Sequence, residues 1–164
     1  MMIGGLLLAA GQSKRIEGGY HKLLAKFAGV SLVHRSALTM LEAGINPIVA
    51  VTGHRREEIE TELRDLPIAA VYNESFAKGI GTSMACGFGH QIVAPCDGVL
   101  IMLADMPEIT SAHIQKLLDV FALGGAKMLC VDPAGPNTVI PSSFQNPFSL
   151  PCRSSHRIMA ARPT

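Results

Sequence analysis

The feature that most constrains this fold is a repeated change in the spacing of apolar residues along the chain. Short apolar runs of the kind found in buried strands occur at residues 3–9, 47–52, 68–72, 99–104 and 127–132. Apolar residues at helical spacing lie between them, in residues 31–43, 55–64, 82–91 and 110–122. Such alternation is typical of right-handed crossovers onto one sheet. We therefore predict an α/β fold with a three-layer, doubly wound, mainly parallel sheet.

The end of the chain departs from this pattern. Residues 133–164 hold six of the ten prolines and neither Asp nor Glu, and proline interrupts the helical windows there. We predict one folded domain over residues 1–132 and an irregular, Pro/Ser-rich tail over residues 133–164. Because a compact domain seldom ends in about thirty structureless residues, we interpret the tail as the product of a truncation or a frameshift.

Composition excludes several classes of protein. The 164 residues fit one domain, and 48% apolar against 16% charged residues argue against a disordered chain. The net charge of +1 lacks the basic excess of a nucleic-acid or membrane-surface binder, and no apolar run approaches the ~20 residues of a membrane span. The cysteines form no CxxC pair and the histidines no HxxxH pair, which argues against zinc and thiol redox sites. We expect a soluble, cytoplasmic protein that binds neither nucleic acid nor membrane.

The segment after the first predicted strand is the first candidate site. Residues 10–22 are long for a strand-to-helix connection, and residues 1–26 carry four cations against one anion. Glycines let a backbone approach a ligand closely, and Arg15 and Lys22 can neutralise phosphate, so this loop suits a polyphosphate. A solvated basic loop explains the same residues equally well.

Asp105, directly after the fourth predicted strand, is the second candidate. A carboxylate at the carboxyl end of an apolar strand can hold one Mg²⁺, with substrate phosphates completing the octahedron, and ligands of open α/β sheets bind beyond that edge. The alternative is a turn or a helix cap, for which Thr110 is better placed. After the third strand, Gly79 and Ser83 belong to a glycine- and hydroxyl-rich stretch that can offer N–H and O–H donors. An ordinary turn explains that stretch equally well.

Three motifs in order resemble a known family. Residues 8–11 (LAAG), Arg15 and Lys22 are similar to the LAAG…R…K signature of nucleotidyltransferases with a Rossmann-like fold. The stretches at residues 73–84 and 103–107 (LADMP) resemble the molybdenum cofactor cytidylyltransferases, a branch of the molybdopterin nucleotidyltransferases. The resemblance implies Mg²⁺-dependent transfer of a nucleoside monophosphate from an NTP, CTP in that branch, to the terminal phosphate of molybdopterin, with release of pyrophosphate.

The resemblance also implies roles for individual residues. Arg15, Lys22 and Asp105 are the implied catalytic residues: two cations for the phosphates and a carboxylate that binds Mg²⁺. The implied nucleotide-binding residues are Leu8, Ala9, Ala10, Gly11, Arg15, Lys22, Asn73, Gly79 and Ser83. The related guanine-specific branch has glycine where Ala10 stands, which favours CTP over GTP. The implied partners are an NTP, a small phosphorylated acceptor, and a molybdoenzyme or its chaperone.

Other interpretations stay open. A sugar phosphate or methylerythritol phosphate is an alternative acceptor, because enzymes acting on those compounds share LAAG…R…K. A nucleotide-binding module without turnover is a second alternative, because no carboxylate side chain follows Asp132, where relatives carry a further acid of the metal site. An NAD(P)-dependent oxidoreductase is disfavoured, because Ser13 stands where the GxGxxG motif needs glycine. Ile16 excludes a Walker loop in the same way.

Overall fold

The structure is a computed structural model that describes residues 2–12, 21–123 and 129–130. Its strands in chain order are β1 (Ile3–Ala9), β2 (Lys26–Phe27), β3 (Val30–Ser31), β4 (Ile48–Thr52), β5 (Ala69–Tyr72), β6 (Gly98–Leu103) and β7 (Leu129–Cys130). Its α-helices are α1 (Leu32–Glu42), α2 (Arg56–Glu62), α3 (Ile80–Phe88) and α4 (Ser111–Ala122), with 3₁₀ turns at Lys22–Leu24 and Phe76–Lys78. Arg15 and the tail over residues 133–164 lie outside the described residues. Every helix in the described ranges is too short or too polar to span a lipid bilayer.

Five parallel strands of the described chain form one sheet in the order β5-β4-β1-β6-β7. β1 lies at the centre, with Leu6 opposite Val49 of β4 and Ile101 of β6. The chain winds outward from β1 through β4 to β5 and then returns to the other side of β1. The switch point of the topology therefore lies between β1 and β6, which is where open α/β sheets bind ligands. The predicted doubly wound α/β fold is confirmed.

Both faces of the sheet are covered, because successive strand residues point into two different cores. In β1, Leu7 and Ala9 face the core shared with α1 and α4, whereas Leu6 and Leu8 face the core on the α3 side. Burial on both faces explains why β1 is apolar without interruption. Gly87 lets α3 approach this sheet closely, since a Cβ there would lie 2.8 Å from Leu6 Cδ2. The residue that weakens the helix by propensity is thus required by its packing.

The ends of the helices follow local signals in the sequence. Ser31 Oγ accepts a hydrogen bond from His34 N at the start of α1, and Gly44, at φ +80°, lies just beyond its end. α3 begins and ends earlier than the predicted 82–91. The short β2–β3 hairpin was not predicted from the sequence.

Thr110→Ala is expected to lower the free energy of unfolding by about 1 kcal/mol, the usual loss for an N-cap. Thr110 Oγ1 accepts a hydrogen bond from His113 N, and His113 Nδ1 accepts one from Thr110 N. The side chain of each residue thus pairs with the backbone N–H of the other at the start of α4. Urea unfolding of the variant measures this loss. Thr110→Ser keeps the hydroxyl and is the control. An equal loss in both variants would contradict the capping role.

Candidate functional site

A cleft of about 740 Å³ opens at the carboxyl edge of the sheet, over the ends of β1 and β6. Small-molecule sites typically occupy about 300–1,000 Å³. The predicted site residues that line it are Leu8, Ala10, Gly11, Lys22, Gly79, Ser83 and Asp105. Segments far apart in the sequence thus meet at the edge where this topology binds ligands.

Lys22 and Asp105 meet in this cleft although 83 positions separate them in the sequence. Lys22 Nζ lies 3.0 Å from Asp105 Oδ2 in an ion pair. The hydrogen bond from Ala104 N to Leu8 O, 3.1 Å long, holds the end of β6 against β1, and buried Leu23 anchors the 3₁₀ turn that carries Lys22. The two charged side chains are 48% and 38% exposed, so a ligand can reach both.

The LAAG segment carries the backbone out of β1 into the cleft. Ala9 is fully buried in the sheet, whereas Ala10, only 6% exposed, is one of the residues that line the cleft. Gly11 is exposed, and a Cβ built on it would meet no described atom within 4 Å. Because Gly11 lines the cleft, a ligand can approach its backbone closely.

Asn73 lies behind the cleft wall. Its Nδ2 donates to Thr82 Oγ1 at 2.9 Å and to Ser83 Oγ at 3.0 Å, and its Oδ1 accepts from Ser75 N at 3.0 Å. The side chain is buried and is not part of the cleft lining, whereas Gly79 and Ser83 are. Asn73 therefore orients Ser83, and its predicted contact with a nucleotide stays a prediction.

His21 is a further residue at this site, and sequence reasoning missed it. Its Nε2 donates a hydrogen bond to Gly11 O at 3.0 Å, and its ring is 2% exposed. The ring stacks on His54, with centroids 5.4 Å apart. Burial lowers the pKa of His21 below its ordinary value of 6.5, while the bond to Gly11 acts in the opposite direction. The one sequence signal that pointed to it is its place next to Lys22.

Asp105 is the only acid that lines the cleft in the part of the chain that the structure describes. Within residues 2–12, 21–123 and 129–130, no group of three or more His, Cys, Asp or Glu side chains is placed to hold a metal ion. Protein-bound Mg²⁺ usually has one or two carboxylate ligands and takes its other ligands from substrate phosphates and water. A single, partly exposed carboxylate therefore fits an Mg²⁺ that arrives with a nucleotide, and does not fit a metal ion held by protein side chains alone.

Comparison with known proteins gives one family and several relatives. The family model described as the MobA-like NTP transferase domain matches residues 5–158. The bifunctional protein GlmU of Caldanaerobacter subterraneus subsp. tengcongensis is 31% identical over 143 residues, which is 87% of this chain and 28% of that protein. The bifunctional IPC transferase and DIPP synthase of Rubrobacter xylanophilus is 40% identical over 86 residues, which is 50% of this chain and 20% of that protein. The chain thus spans less than a third of the length of these two relatives.

A solved structure gives a match of the same kind. A nucleotidyl transferase from Methanothermobacter superposes with a TM-score of 0.66 and is 26% identical in sequence. The superposition covers 72% of this chain and 57% of that one.

Proposed function

Because the chain belongs to the family of MobA-like NTP transferase domains, whose model spans residues 5–158, we propose that it transfers a nucleoside monophosphate from an NTP to a phosphate monoester. The observation that best supports this proposal is the ion pair of Lys22 and Asp105 inside the cleft. A cation neutralises phosphate, and a carboxylate is a usual ligand of the Mg²⁺ that accompanies it. The two groups stand side by side at the edge of the sheet where ligands bind.

The proposed reaction brings two groups of like charge together. An oxygen of the acceptor phosphate attacks the α-phosphorus of the NTP, the bond from that phosphorus to the bridging oxygen breaks, and pyrophosphate leaves with the electron pair. Lys22 offsets the repulsion between the phosphates and the charge that spreads over their oxygens. Mg²⁺, when bound at Asp105, supplies further positive charge to those oxygens. Arg15, the other predicted catalytic cation, lies outside the described residues.

The nucleoside half of the substrate is proposed to lie against the apolar wall of the cleft. This wall contains four apolar side chains, of which Ile80 is 46% exposed: Leu8, Phe76, Ile80 and Leu103. A base and ribose that cover these side chains remove apolar surface from water. Ser83 Oγ accepts from Asn73, which leaves its own proton available for donation to the nucleotide.

We further propose CTP as the nucleotide and molybdopterin as the acceptor. The resemblance of the motifs at residues 73–84 and 103–107 to the molybdenum cofactor cytidylyltransferases supports this choice. Ala10 lines the cleft at the position where the guanine-specific branch has glycine, which favours CTP over GTP. Delivery of the product to a molybdoenzyme or its chaperone stays a prediction.

Two alternatives have specific support. A sugar phosphate or methylerythritol phosphate acceptor agrees with the LAAG…R…K signature alone. A nucleotide-binding module without turnover agrees with the single acid that lines the cleft within the described residues.

Thermal unfolding with CTP, GTP, ATP and UTP, each with and without Mg²⁺, tests nucleotide binding and base preference. We expect CTP with Mg²⁺ to stabilise the protein most, by about 2.7 kcal/mol at a hundredfold excess over Kd. Greater stabilisation by GTP would contradict the argument from Ala10. Equal melting with all four nucleotides would contradict nucleotide binding in the cleft.

Release of pyrophosphate then separates an enzyme from a binding module. The full chain is incubated with CTP, Mg²⁺ and either molybdopterin, methylerythritol phosphate or a sugar 1-phosphate. We expect pyrophosphate release when the acceptor is molybdopterin and none when it is either of the other two compounds. Binding of CTP without release in the presence of any acceptor would favour the module.

A further inference from the structure

The hydrogen bond from His21 to Gly11 joins the two described ends of the loop that follows β1. Gly11 is the last residue of the LAAG segment, and His21 lies ten positions later, next to Lys22. A carbonyl oxygen only accepts, so the proton of this 3.0 Å contact belongs to His21 Nε2. One bond thus links the backbone edge of the cleft to the turn that carries its cation.

The surroundings of His21 favour the neutral ring. The ring is 2% exposed, and its Nδ1 is buried without a hydrogen-bond partner among the described residues. In the neutral form Nδ1 has a lone pair and no proton. A second proton would make the ring a buried cation, and no described group could accept the hydrogen bond from Nδ1. Stacking on His54 fixes the plane of the ring.

We propose that His21 is a positioning residue for nucleotide binding, which holds Gly11 and Lys22 at the spacing that a triphosphate requires. This inference rests on the proposed function. Lys22 is a long side chain on a short 3₁₀ turn, whose buried residue is Leu23. Among the described residues, the bond from His21 to Gly11 links this turn to the LAAG backbone. Without it, a bound nucleotide has to order both segments itself, and its affinity falls.

A histidine that merely fills the core would behave differently on substitution. Gln places an N–H donor at the same number of bonds from Cβ as His Nε2, so His21→Gln can keep the bond to Gly11. His21→Leu fills a similar volume but has no donor. A core-filling role predicts that Leu is the better replacement, and the positioning role predicts that Gln is.

Titration of CTP with Mg²⁺ into the full-length wild type, His21→Gln and His21→Leu tests the proposal. We expect Kd to rise about tenfold in His21→Leu, the effect of one hydrogen bond of ordinary strength, and to stay within about threefold of the wild type in His21→Gln. Wild-type affinity in His21→Leu, or equal losses in both variants, would overturn the positioning role. A wild type that binds no nucleotide would overturn the proposed function, and this inference with it.

The pH dependence of stability provides a readout that needs no nucleotide. Among the described residues, the charged groups that face His21 are Arg55 and Glu58, and His54 faces it as a third titratable group. Because the pKa of His21 is lowered on folding, the unfolded chain binds a proton below pH 6.5 that the folded chain does not. The free energy of unfolding of the wild type is therefore expected to fall, relative to that of His21→Gln, as the pH drops below 6.5. Parallel curves for the two proteins would show that His21 is not held neutral.

Helix α1 also packs against the turn of His21, but its nearby charged groups contact other residues. His34 Nδ1 lies 2.7 Å from Glu62 O, and the guanidinium of Arg35 lies over the ring of Phe27. The difference between the two stability curves therefore reports on His21 and its three facing groups.

Discussion

Asp105→Asn is expected to lower the rate of pyrophosphate release by about a hundredfold to a thousandfold at saturating CTP and Mg²⁺. Asn is nearly isosteric with Asp but neutral, so it is a much weaker ligand for a hard divalent cation. A metal ion that stabilises charge on transferring phosphates contributes several kcal/mol to the barrier, and each 1.36 kcal/mol corresponds to a factor of ten in rate. Single-turnover kinetics with the full chain measure the effect on the chemical step.

The fold is expected to tolerate this substitution. Asp105 is 38% exposed and forms an ion pair with Lys22, itself 48% exposed, and ion pairs at such sites contribute about 0–1 kcal/mol. The melting temperature of Asp105→Asn should therefore stay close to that of the wild type. Asp119→Asn, on the exposed side of α4, removes a carboxylate far from the cleft and is the control. A wild-type rate in Asp105→Asn would exclude this residue as the metal ligand.

The sheet could be predicted from the sequence because burial on both faces leaves a strong pattern. The run at residues 3–9 became β1 with the same ends, since each residue of that strand is buried in one core or the other. The predicted helix at residues 31–43 became α1 (Leu32–Glu42), and Gly44 at positive φ follows its end, a conformation that residues other than glycine rarely adopt. Such signals are local and need no knowledge of distant contacts.

The β2–β3 hairpin lacked a signal of this kind. Its turn is formed by Ala28 and Gly29, both at positive φ, where Asn-Gly or Asp-Gly is the usual sequence. Ala28 at φ 52° adopts a conformation that costs a non-glycine residue about 1–2 kcal/mol. The pairing of β2 with β3 and the contact of the Arg35 guanidinium with the Phe27 ring favour the turn over the local preference of alanine.

The candidate site was predictable in part. The topology rule alone brings the loop after β1 and the end of β6 to one edge, which is why Lys22 and Asp105 could be selected before their distance was known. His21 could not be selected in this way, because its role depends on the path of the chain back to Gly11 and on the stacked ring of His54. Periodicity carries no information about such contacts between loops.

Lys22→Met is expected to weaken the binding of CTP with Mg²⁺ by about tenfold to a hundredfold, the loss of one charge-assisted hydrogen bond worth about 1.5–3 kcal/mol. Met keeps an unbranched stem, so the packing of the 3₁₀ turn around Leu23 is retained. The variant should also show a weaker dependence of Kd on ionic strength, because salt screens the charge that has been removed. Calorimetric titration at two salt concentrations measures both effects.

Lys116→Met is the matched control for that variant, because Lys116 is exposed on α4 and is not part of the cleft lining. Equal affinity in Lys22→Met and the wild type would show that Lys22 does not bind the triphosphate.

The double variant Lys22→Met/Asp105→Asn tests whether the two residues act together. If both side chains act on one bound triphosphate, the fold loss in kcat/KM of the double variant is smaller than the product of the losses in the two single variants. Each single substitution already disrupts the arrangement in which the remaining side chain acts. Independent, multiplicative losses would mean that the 3.0 Å ion pair joins two residues with unrelated tasks.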